Sequence, residues 1–506
     1  MSPIILFAFV IGYFLLLLAV AYFTSRGSDN ESFFIGNRNS NWMLVAFGMI
    51  GTSLSGVTFV SVPGAVAASN FYYFQIVIGY LLGYFVIAYV LIPMYYKMNL
   101  TSIYTYLEKR FGVNAHKAGA SFFILSRTVG ATARLYLVIS ILQKFIFEKL
   151  HIPFIVTAVV ILALILLYTF EGGVKTIIYT DTLQTTGMLL GLVVCIVVIT
   201  KAMGTDFSGV LSQMNEKGYT KIFNTDINAG SFFLKHIIGG MFIAIAMTGL
   251  DQEMMQKNIS VKNIKDSQKN IMTFSAVLVV VNLLFLFLGG LLYLYASANN
   301  ITTAPDDLFP TIALSDTFSG VIGIIFIIAL ISALFPSVDG AITSLTSCFC
   351  IDILAINKNK ATEKENKNTR LKVHFSFAIV FLIMVVIFKE INDKLIIDFI
   401  LKFAGITYGP LLGLFSFGIL TKKNINNNLI WTVCIIAPLM ALGLDMLSSP
   451  EWYEKKLHIN LPMLKDLSAT IFGGYKIGNE LILINGIFTF LGLLIISKKD
   501  TNKIAL

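Results

Sequence analysis

Two stretches decide the fold that this sequence predicts: GTSLSGVTFVSVPGAV, from Gly51 to Val66, and SALFPSVDGAITSLTS, from Ser332 to Ser347. Each is apolar and close to membrane length, but glycine, proline, serine and threonine interrupt it, and the second carries a carboxylate at Asp339. Lipid offers no hydrogen bonds to a broken backbone, so such interruptions persist only where a helix lines a protected cavity. We therefore expect two broken helices, one in each half of the chain, around a site for an ion and a solute.

The composition of the 506 residues is that of a protein with many membrane spans. The chain is 56% hydrophobic and 13% charged, with a mean hydropathy of +0.80, whereas soluble domains are nearer half apolar and a quarter charged. The net charge of +9 does not indicate nucleic-acid binding, because the lysines and arginines lie in short loops between apolar segments. The four cysteines have no metal-ligand spacing, which predicts buried free thiols.

Apolar runs of about 20 residues predict an all-α polytopic membrane protein with 13 transmembrane helices. The runs lie near 3–24, 43–67, 71–96, 117–146, 153–171, 177–200, 231–251, 271–297, 317–350, 373–389, 396–420, 428–447 and 480–497. The first is interpreted as a retained span, because no small-residue cleavage site follows it.

The loops between these runs alternate in basic charge. Lysine and arginine are frequent at 97–117, 257–269 and 358–372, whereas 66–71 and 297–316 contain none. The positive-inside rule places the basic loops, and Lys257 with them, in the cytoplasm. The N-terminus is then outside and the C-terminus inside.

Three of the connecting segments carry predictions of their own. Thr101–Gly112 is interpreted as a short interfacial helix capped by Thr101, Glu171–Val174 as a tight turn, and Asn357–Arg370 as a solvated loop.

The first interrupted stretch offers two kinds of polar group. Unwinding near Gly51 and Leu54 would release backbone carbonyls, and carbonyl oxygens suit a hard cation such as Na⁺. The hydroxyls of Ser55 and Thr58 would then be free for a solute. The alternative is that the small residues form a face for close helix packing.

The second stretch places a carboxylate deep in a span, where it is costly and needs a cation, a basic side chain or water. Oxygen-rich surroundings, with Ser337 near Asp339, favour Na⁺ or a proton over a transition metal. Asp181 adds a second carboxylate just inside another span, although capping at the interface explains it equally well.

Basic and amide side chains within the spans are candidates for contact with a solute. Arg127 and Arg134 are seven residues apart and share one helix face, so each can pair with an intramembrane carboxylate or meet a substrate carboxylate. Lys402 can snorkel from a helix end or contact substrate. Gln75 offers an amide, with ordinary packing as the alternative.

No enzymatic motif is present in the sequence. There is neither an H-E-x-x-H nor a G-x-x-x-x-G-K-[ST] pattern. We therefore expect a protein that is not an enzyme, and uptake driven by an ion gradient or by another subunit.

Six segments, in order along nearly the whole chain, resemble the sodium:solute symporter family, which includes bacterial sodium/galactose, sodium/proline and sialic acid symporters. They are FFIGNRNSNWMLVAFGMIGTSLSGVTFVSVPG (Phe33–Gly64), TSIYTYLEKRFG (Thr101–Gly112), FEGGVKTIIYTDTLQ (Phe170–Gln184), DQEMMQKNIS (Asp251–Ser260), DGAITSLTSCFCIDIL (Asp339–Leu354) and GPLLGLFSFGILTKK (Gly409–Lys423).

The resemblance implies a LeuT-type fold with a five-plus-five inverted-repeat core and a midplane site. A single transporter domain, 1–506, would comprise an extra N-terminal helix at 1–25, the core at 43–420 and two C-terminal helices at 428–497.

The resemblance also implies a sodium site between the first and eighth core helices. Its ligands would be the carbonyls of Gly51, Leu54 and Ala333 and the hydroxyl of Ser337. The chain departs from the family at Pro336, where a hydroxyl is expected.

Two further acidic positions follow from the resemblance. Asp181 matches an acidic residue of the family on the fifth core helix, and the serine-rich second-sodium region falls at Asp339 and Gly340. Asp339 could tighten one sodium site, take a proton, or bind a substrate amine. We expect one sodium ion, with both aspartates among its candidate ligands.

These inferences predict a sodium-coupled symporter of the bacterial inner membrane that imports a small organic solute by alternating access, with a sugar or sugar acid favoured. The candidate substrate-binding residues are Ser55, Thr58, Gln75, Arg134 and Lys402. The expected partners are the solute and the lipid bilayer, with no nucleic acid and no obligatory protein partner. Alternatives are a proton-coupled transporter using Asp339 or Asp181, sodium-coupled uptake of an amino acid or carboxylate, and a transporter-like sensor.

Overall fold

The structure is a computed structural model that describes residues 3–25, 33–34, 36–169, 173–315, 317–318, 320–356, 362–391, 396–457 and 462–498. Glu171 and Gly172 of the predicted turn, and the start of the predicted loop at 357–361, lie outside the described residues.

The described residues form a helical protein with one short antiparallel ribbon. The helices are α1 Pro3–Ser25, α2 Trp42–Ser53, α3 Gly56–Ser69, α4 Tyr73–Val86, α5 Ile92–Lys97, α6 Thr105–Phe111, α7 Val113–Leu142, α8 Phe154–Thr169, α9 Gly173–Ala202, α10 Phe207–Glu216, α11 Phe233–Ala244, α12 Gln252–Ile259, α13 Ile264–Ala298, α14 Leu308–Ala313, α15 Gly320–Cys348, α16 Glu363–Ile391, α17 Ile396–Thr407, α18 Gly409–Leu420, α19 Ile430–Ser448, α20 Pro450–Leu457, α21 Pro462–Phe472 and α22 Leu481–Ile495. Strands β1 Asn424–Ile425 and β2 Ser497–Lys498 pair antiparallel.

Eight helical segments of the described chain are long and apolar enough to cross a membrane, and three bent pairs also pass that test. The bent pairs are α2 with α3 (54°), the segment Phe233–Gly249 with α12 (64°), and α17 with α18 (44°). Two shorter apolar helices, α8 and α22, have 16 and 15 residues. Each of the predicted apolar runs overlaps one of these elements. The count of 13 spans and the division into repeats stay predictions.

The first predicted broken helix is present, but the prediction of a second break within Ser332–Ser347 was wrong. Helix α15 runs through this stretch without a break and contains Pro336. A proline removes one backbone hydrogen bond of a helix, and the segment of α15 just before Pro336 packs closely against α9. A Cβ added at Gly187 would lie 2.6 Å from Ser332 Oγ, and one added at Gly191 would lie 2.3 Å from Ala329 Cβ.

A helix break that the sequence did not predict lies between α11 and α12, at Leu250 and Asp251. The side chain of Asp251 caps α12 by accepting hydrogen bonds from the backbone N–H groups of Glu253 and Met254, at 3.0 and 3.2 Å. Aspartate at this position satisfies donors that a helix start leaves unpaired, so the chain can restart a helix at an angle inside the protein.

Three smaller predictions are corrected or confirmed. The interfacial helix α6 starts at Thr105, not near Thr101, and ends at Phe111, just before Gly112, whose φ of 101° suits glycine. Helix α16 begins at Glu363, within the segment predicted as a loop. All four cysteines are buried and free, as predicted.

Candidate functional site

The break between α2 and α3 leaves backbone oxygens available. Helix α2 ends at Ser53, and the last carbonyl that receives a helical bond is that of Ile50, from the N–H of Leu54 at 2.8 Å. The carbonyls of Gly51 and Leu54 accept no hydrogen bond from any residue that the structure describes. Unwound carbonyls of this kind are the groups with which broken helices coordinate Na⁺.

Helix α15 lies directly opposite this break. A Cβ added at Gly51 would lie 3.4 Å from Pro336 Cγ and 2.3 Å from Thr185 Oγ1. Ala333 and Ser337, the other predicted sodium ligands, are buried on the same part of α15. The hydroxyl of Ser337 donates to the carbonyl of Leu334 at 2.7 Å, which leaves its lone pairs free.

These oxygens form a neutral set that fits a monovalent hard cation. Pro336 contributes no hydroxyl, but it has no N–H to donate to the carbonyl of Ser332. The departure from the family pattern therefore removes one oxygen from this face and releases another one turn earlier.

A group of six charged residues lies beside the break, which we call the charged cluster. Its members are Arg127 on α7, Asp181 on α9, Asp251 at the α11–α12 break, Glu253 and Lys257 on α12, and Asp339 on α15. All six are buried. The cluster thus holds four carboxylates and two basic side chains in the middle of the protein.

Lys257 is the member of the cluster that was predicted to lie in a cytoplasmic loop. It is not in a solvated loop but 2% exposed on α12. Its Nζ lies 2.7 Å from Asp181 Oδ2, 2.6 Å from Thr52 Oγ1 and 3.6 Å from Glu253 Oε1. Asp181 accepts a further hydrogen bond from Thr52 at 3.1 Å. Asp251 is a typical helix N-cap residue. This signal could have predicted that a helix restarts there and carries Lys257.

Arg127 connects the same α12 to α7. Its guanidinium forms an ion pair with Glu253 and lies 3.9 Å from Asp251 Oδ2. The hydroxyl of Tyr408, between α17 and α18, donates to Asp251 at 3.0 Å. The short helix α12 is therefore joined by charged or polar contacts to α2, α7, α9 and the bend between α17 and α18.

Asp339 has a different environment from the other carboxylates. The hydroxyl of Tyr168 donates to its Oδ2 at 2.8 Å, and no described lysine or arginine lies within 4.0 Å of it. Its neighbour Gly340 lies against Glu253, since a Cβ there would be 2.3 Å from Glu253 Oε1. Asp339 therefore completes the cluster without a cation of its own.

A small central cavity of about 100 Å³ lies next to the α2–α3 break. Ser55, Thr58 and Arg134 line it, as do Tyr80, Thr248 and Asn282. The first three are among the residues predicted to bind substrate, and the structure brings them together. Asn282 was missed because a single asparagine in an apolar span gives no pattern.

Arg134 and Asn282 have unused hydrogen-bonding capacity. The guanidinium of Arg134 forms no ion pair or hydrogen bond with any described residue, and its nearest charged neighbour along α7, Arg127, is already paired. Asn282 donates through Nδ2 to the carbonyl of Leu278 at 2.8 Å, whereas its buried Oδ1 has no partner in the described part of the chain. A cation and a polar acceptor therefore face the same cavity.

Gln75 and Lys402 lie outside the central cavity. The amide of Gln75 donates to the carbonyls of Tyr72 and Ser231, at 3.0 and 3.3 Å. The Nζ of Lys402 lies 2.8 Å from Asp445 Oδ2 and 4.1 Å from the centre of the Trp452 ring. Both side chains are thus occupied by structural contacts.

Lys402 does line a second, larger cavity of about 820 Å³. This cavity and the central one share Tyr73, Ile397 and Leu401 in their walls. The larger cavity therefore adjoins the central one, with these three side chains between them.

The fold is similar to that of a solved structure of a Na⁺-coupled sialic acid symporter in a substrate-bound outward-open state. The TM-score is 0.80 at 22% identity, over 98% of this chain and 99% of that one. The architecture is thus the LeuT-like fold of membrane transporters.

The sequence comparisons define the family. The profile described as "Sodium:solute symporter family" matches residues 33–435. The chain is 28% identical over 444 residues to the sodium/sialic acid symporter NanT of Aliivibrio fischeri, covering 83% of each chain. It is 26% identical to the sodium/sialic acid symporter SiaT of Proteus mirabilis, covering 82% of this chain and 85% of that one. The protein belongs to the sodium:solute symporter family, and it is a multi-pass membrane transporter with Na⁺ as its coupling ion.

Proposed function

We propose that this protein imports a small organic anion, with a sugar acid favoured, together with Na⁺. The observation that carries the proposal is Arg134: a guanidinium without a described partner faces a cavity at the centre of a sodium-coupled transporter. A carboxylate matches the planar fork of arginine in two parallel hydrogen bonds.

The remaining polar groups of the cavity suit the hydroxyls of a sugar acid. Ser55 and Thr58 lie at the start of α3, and the unpartnered Oδ1 of Asn282 accepts a hydrogen bond from a substrate hydroxyl or N–H. The sialic acid symporters among the relatives carry a substrate of this chemical class, which supports the choice. A volume of about 100 Å³ is below the usual 300–1,000 Å³ of ligand pockets, so the cavity has to expand toward the larger cavity to admit it.

Na⁺ is proposed to bind at the α2–α3 break, between the carbonyls of Gly51, Leu54 and Ala333 and the hydroxyl of Ser337. Bound there, the ion holds the break in the geometry that presents Ser55 and Thr58 to substrate. By linkage, Na⁺ and substrate then raise each other's affinity by the same factor. Closure of the larger cavity, together with separation of α12 from Arg127 on α7 and Asp181 on α9, would open the other side.

The protein is proposed to lie in the bacterial inner membrane with its N-terminus outside. The alternation of basic and uncharged loops supports this orientation. The larger cavity, which leads to the substrate, then opens to the outside.

The experiment that tests the proposal is uptake by purified protein in proteoliposomes. An inward Na⁺ gradient should drive uptake of a sialic acid, and the neutral methyl ester of the same sugar should be a poor substrate. The matched variants are Arg134→Ala, which removes the cation, and Arg134→Lys, which keeps the charge and loses the fork. Equal uptake of acid and ester by the wild type would overturn the assignment of Arg134.

A second candidate is proton coupling through Asp339. The specific observation is that this carboxylate has a tyrosine donor but no described cation within 4.0 Å. Uptake that is indifferent to Na⁺ and driven by a pH gradient would favour it.

A further inference from the structure

The ammonium group of Lys257 occupies the position that a cation would need in order to bind Asp181. Its Nζ lies 2.7 Å from a carboxylate oxygen of Asp181 and 2.6 Å from the hydroxyl of Thr52. Both atoms are oxygen ligands of the type that Na⁺ uses. The group is 2% exposed, so no water-filled space separates it from these two oxygens.

The surroundings of Lys257 would attract a cation if the lysine were absent. The second oxygen of Asp181, Oε1 of Gln184 and the hydroxyl of Thr185 are buried and have no hydrogen-bond partner among the described residues. Without Lys257, the four carboxylates of the charged cluster would be opposed by Arg127 alone. Uncompensated buried carboxylates are strongly unfavourable, so a metal ion would gain both charge neutralisation and ready ligands.

We infer that Lys257 is a tethered counter-cation that fills an ion site at Asp181, so that the chain couples to one sodium ion and would gain a second if the lysine were removed. The inference rests on the proposed sodium site at the α2–α3 break. On this inference, Asp181 is the partner of Lys257 and is not a ligand of the sodium ion at the α2–α3 break.

The position of Lys257 on α12 gives the ammonium a second role. Helix α12 follows a 64° break and contacts α2 through Thr52 and α9 through Asp181. If α12 moves away from α9 during transport, its cation leaves with it, and a dissolved cation can then replace Lys257 at Asp181.

The test is the dependence of thermal stability on Na⁺ concentration, measured on purified full-length protein at constant ionic strength with choline as the replacement ion. Above saturation, the slope of the unfolding free energy against the logarithm of [Na⁺] gives the number of ions bound to the folded state. The wild-type slope should correspond to one ion. Lys257→Ala should have a slope about twofold steeper.

Two controls separate charge from the loss of the side chain. Lys257→Arg keeps the cation and should retain the wild-type slope. The double variant Lys257→Ala/Asp181→Asn should return to one ion, because it removes the ligand together with the lysine. A folded Lys257→Ala protein with the wild-type slope would overturn the inference.

Two measurements keep the inference testable if Lys257→Ala does not fold. A wild-type slope of two ions would overturn it, since Lys257 would then not replace an ion. Asp181→Asn alone should leave the slope at one, and a drop to zero would make Asp181 a sodium ligand. A wild type with no sodium effect would overturn the sodium site of the proposed function itself.

Discussion

Helix α7 carries two arginines on one face that both border the central cavity but differ in their described partners. Arg127 belongs to the charged cluster, where Glu253 and Asp251 neutralise it. Arg134, two turns further along, faces the central cavity and has no described partner. The difference separates two uses of an arginine within a membrane span: the first joins helices of the protein to each other, and the second is available to a ligand. Side chains of one type at helical spacing can therefore have unrelated roles.

The strongest test of the difference between the two arginines is to remove the one that forms an ion pair. Arg127→Gln should destabilise the protein by about 3–5 kcal/mol, because it leaves Glu253 and Asp251 buried without that cation. Arg134→Gln should cost little or no stability, since its charge has no described partner to lose. Thermal denaturation of both variants in the same detergent and in saturating NaCl makes the measurement. Equal losses in the two variants would contradict the distinction.

The converse prediction concerns substrate. Arg134→Ala should raise the KM for an anionic substrate about 100-fold, which corresponds to about 2.7 kcal/mol, with Na⁺-dependent thermal stability retained. The KM of Arg134→Lys should lie between those of Arg134→Ala and the wild type. Initial rates of uptake in proteoliposomes check both. A KM unchanged by Arg134→Ala would contradict the proposal that Arg134 binds an anionic substrate.

The sodium site gives a smaller expected effect. Ser337→Ala should raise the Na⁺ concentration for half-maximal uptake about tenfold, since one of the proposed ligands, worth about 1.4 kcal/mol, is lost. Ser344→Ala is a matched control, because Ser344 is also buried on α15 and also donates to a carbonyl three residues earlier. It should leave the sodium dependence unchanged.

Asp339→Asn tests the same site from the charged cluster. It removes a negative charge near the proposed ion and should also weaken sodium activation, by less than Ser337→Ala because the carboxylate acts from outside the neutral oxygen set. Sodium activation unchanged in both variants would exclude this part of α15 as the sodium site.

The smallest effect is expected at Asp306, in the loop before α14. Burial raises the pKa of Asp306 from 3.8 to about 6, and the hydrogen bond from the N–H of Ile396, at 3.4 Å, only partly opposes this. The folded protein therefore holds a proton between about pH 4 and 6 that the unfolded chain releases, so this residue's contribution to stability falls as the pH rises through that window. Asp306→Asn should raise stability on the order of 1 kcal/mol at pH 7.5.

The comparison of melting temperatures at pH 7.5 and pH 4 checks the sign. The advantage of Asp306→Asn over the wild type should shrink toward pH 4, where the aspartate is protonated in the folded protein and partly protonated in the unfolded chain. An advantage that grew on acidification would show that the carboxylate is stabilised, not destabilised, in the folded protein.

Much of the fold could be predicted because apolar length and glycine–serine interruptions act locally. The break at Gly51–Leu54 and the cavity residues Ser55 and Thr58 were accessible in this way. Pro336 misled because a proline can lie inside a continuous helix, and the local sequence does not show whether the rest of the protein supports that helix. Lys257 misled because a lysine that follows an apolar run has the same sequence pattern in a loop and on a buried helix. Only the helix break at Leu250 and Asp251 places it inside the protein.

The ammonium group of Lys257 has a consequence for the energetics of uptake across a charged membrane. If one Na⁺ accompanies one substrate carboxylate, the pair carries no net charge, and the membrane voltage, worth about 2.3 kcal/mol per elementary charge per 100 mV, neither assists nor opposes its passage. Accumulation of the solute is then limited by the sodium concentration ratio alone. Exchanging the lysine for alanine would admit one more positive charge and make the same transport reaction electrogenic.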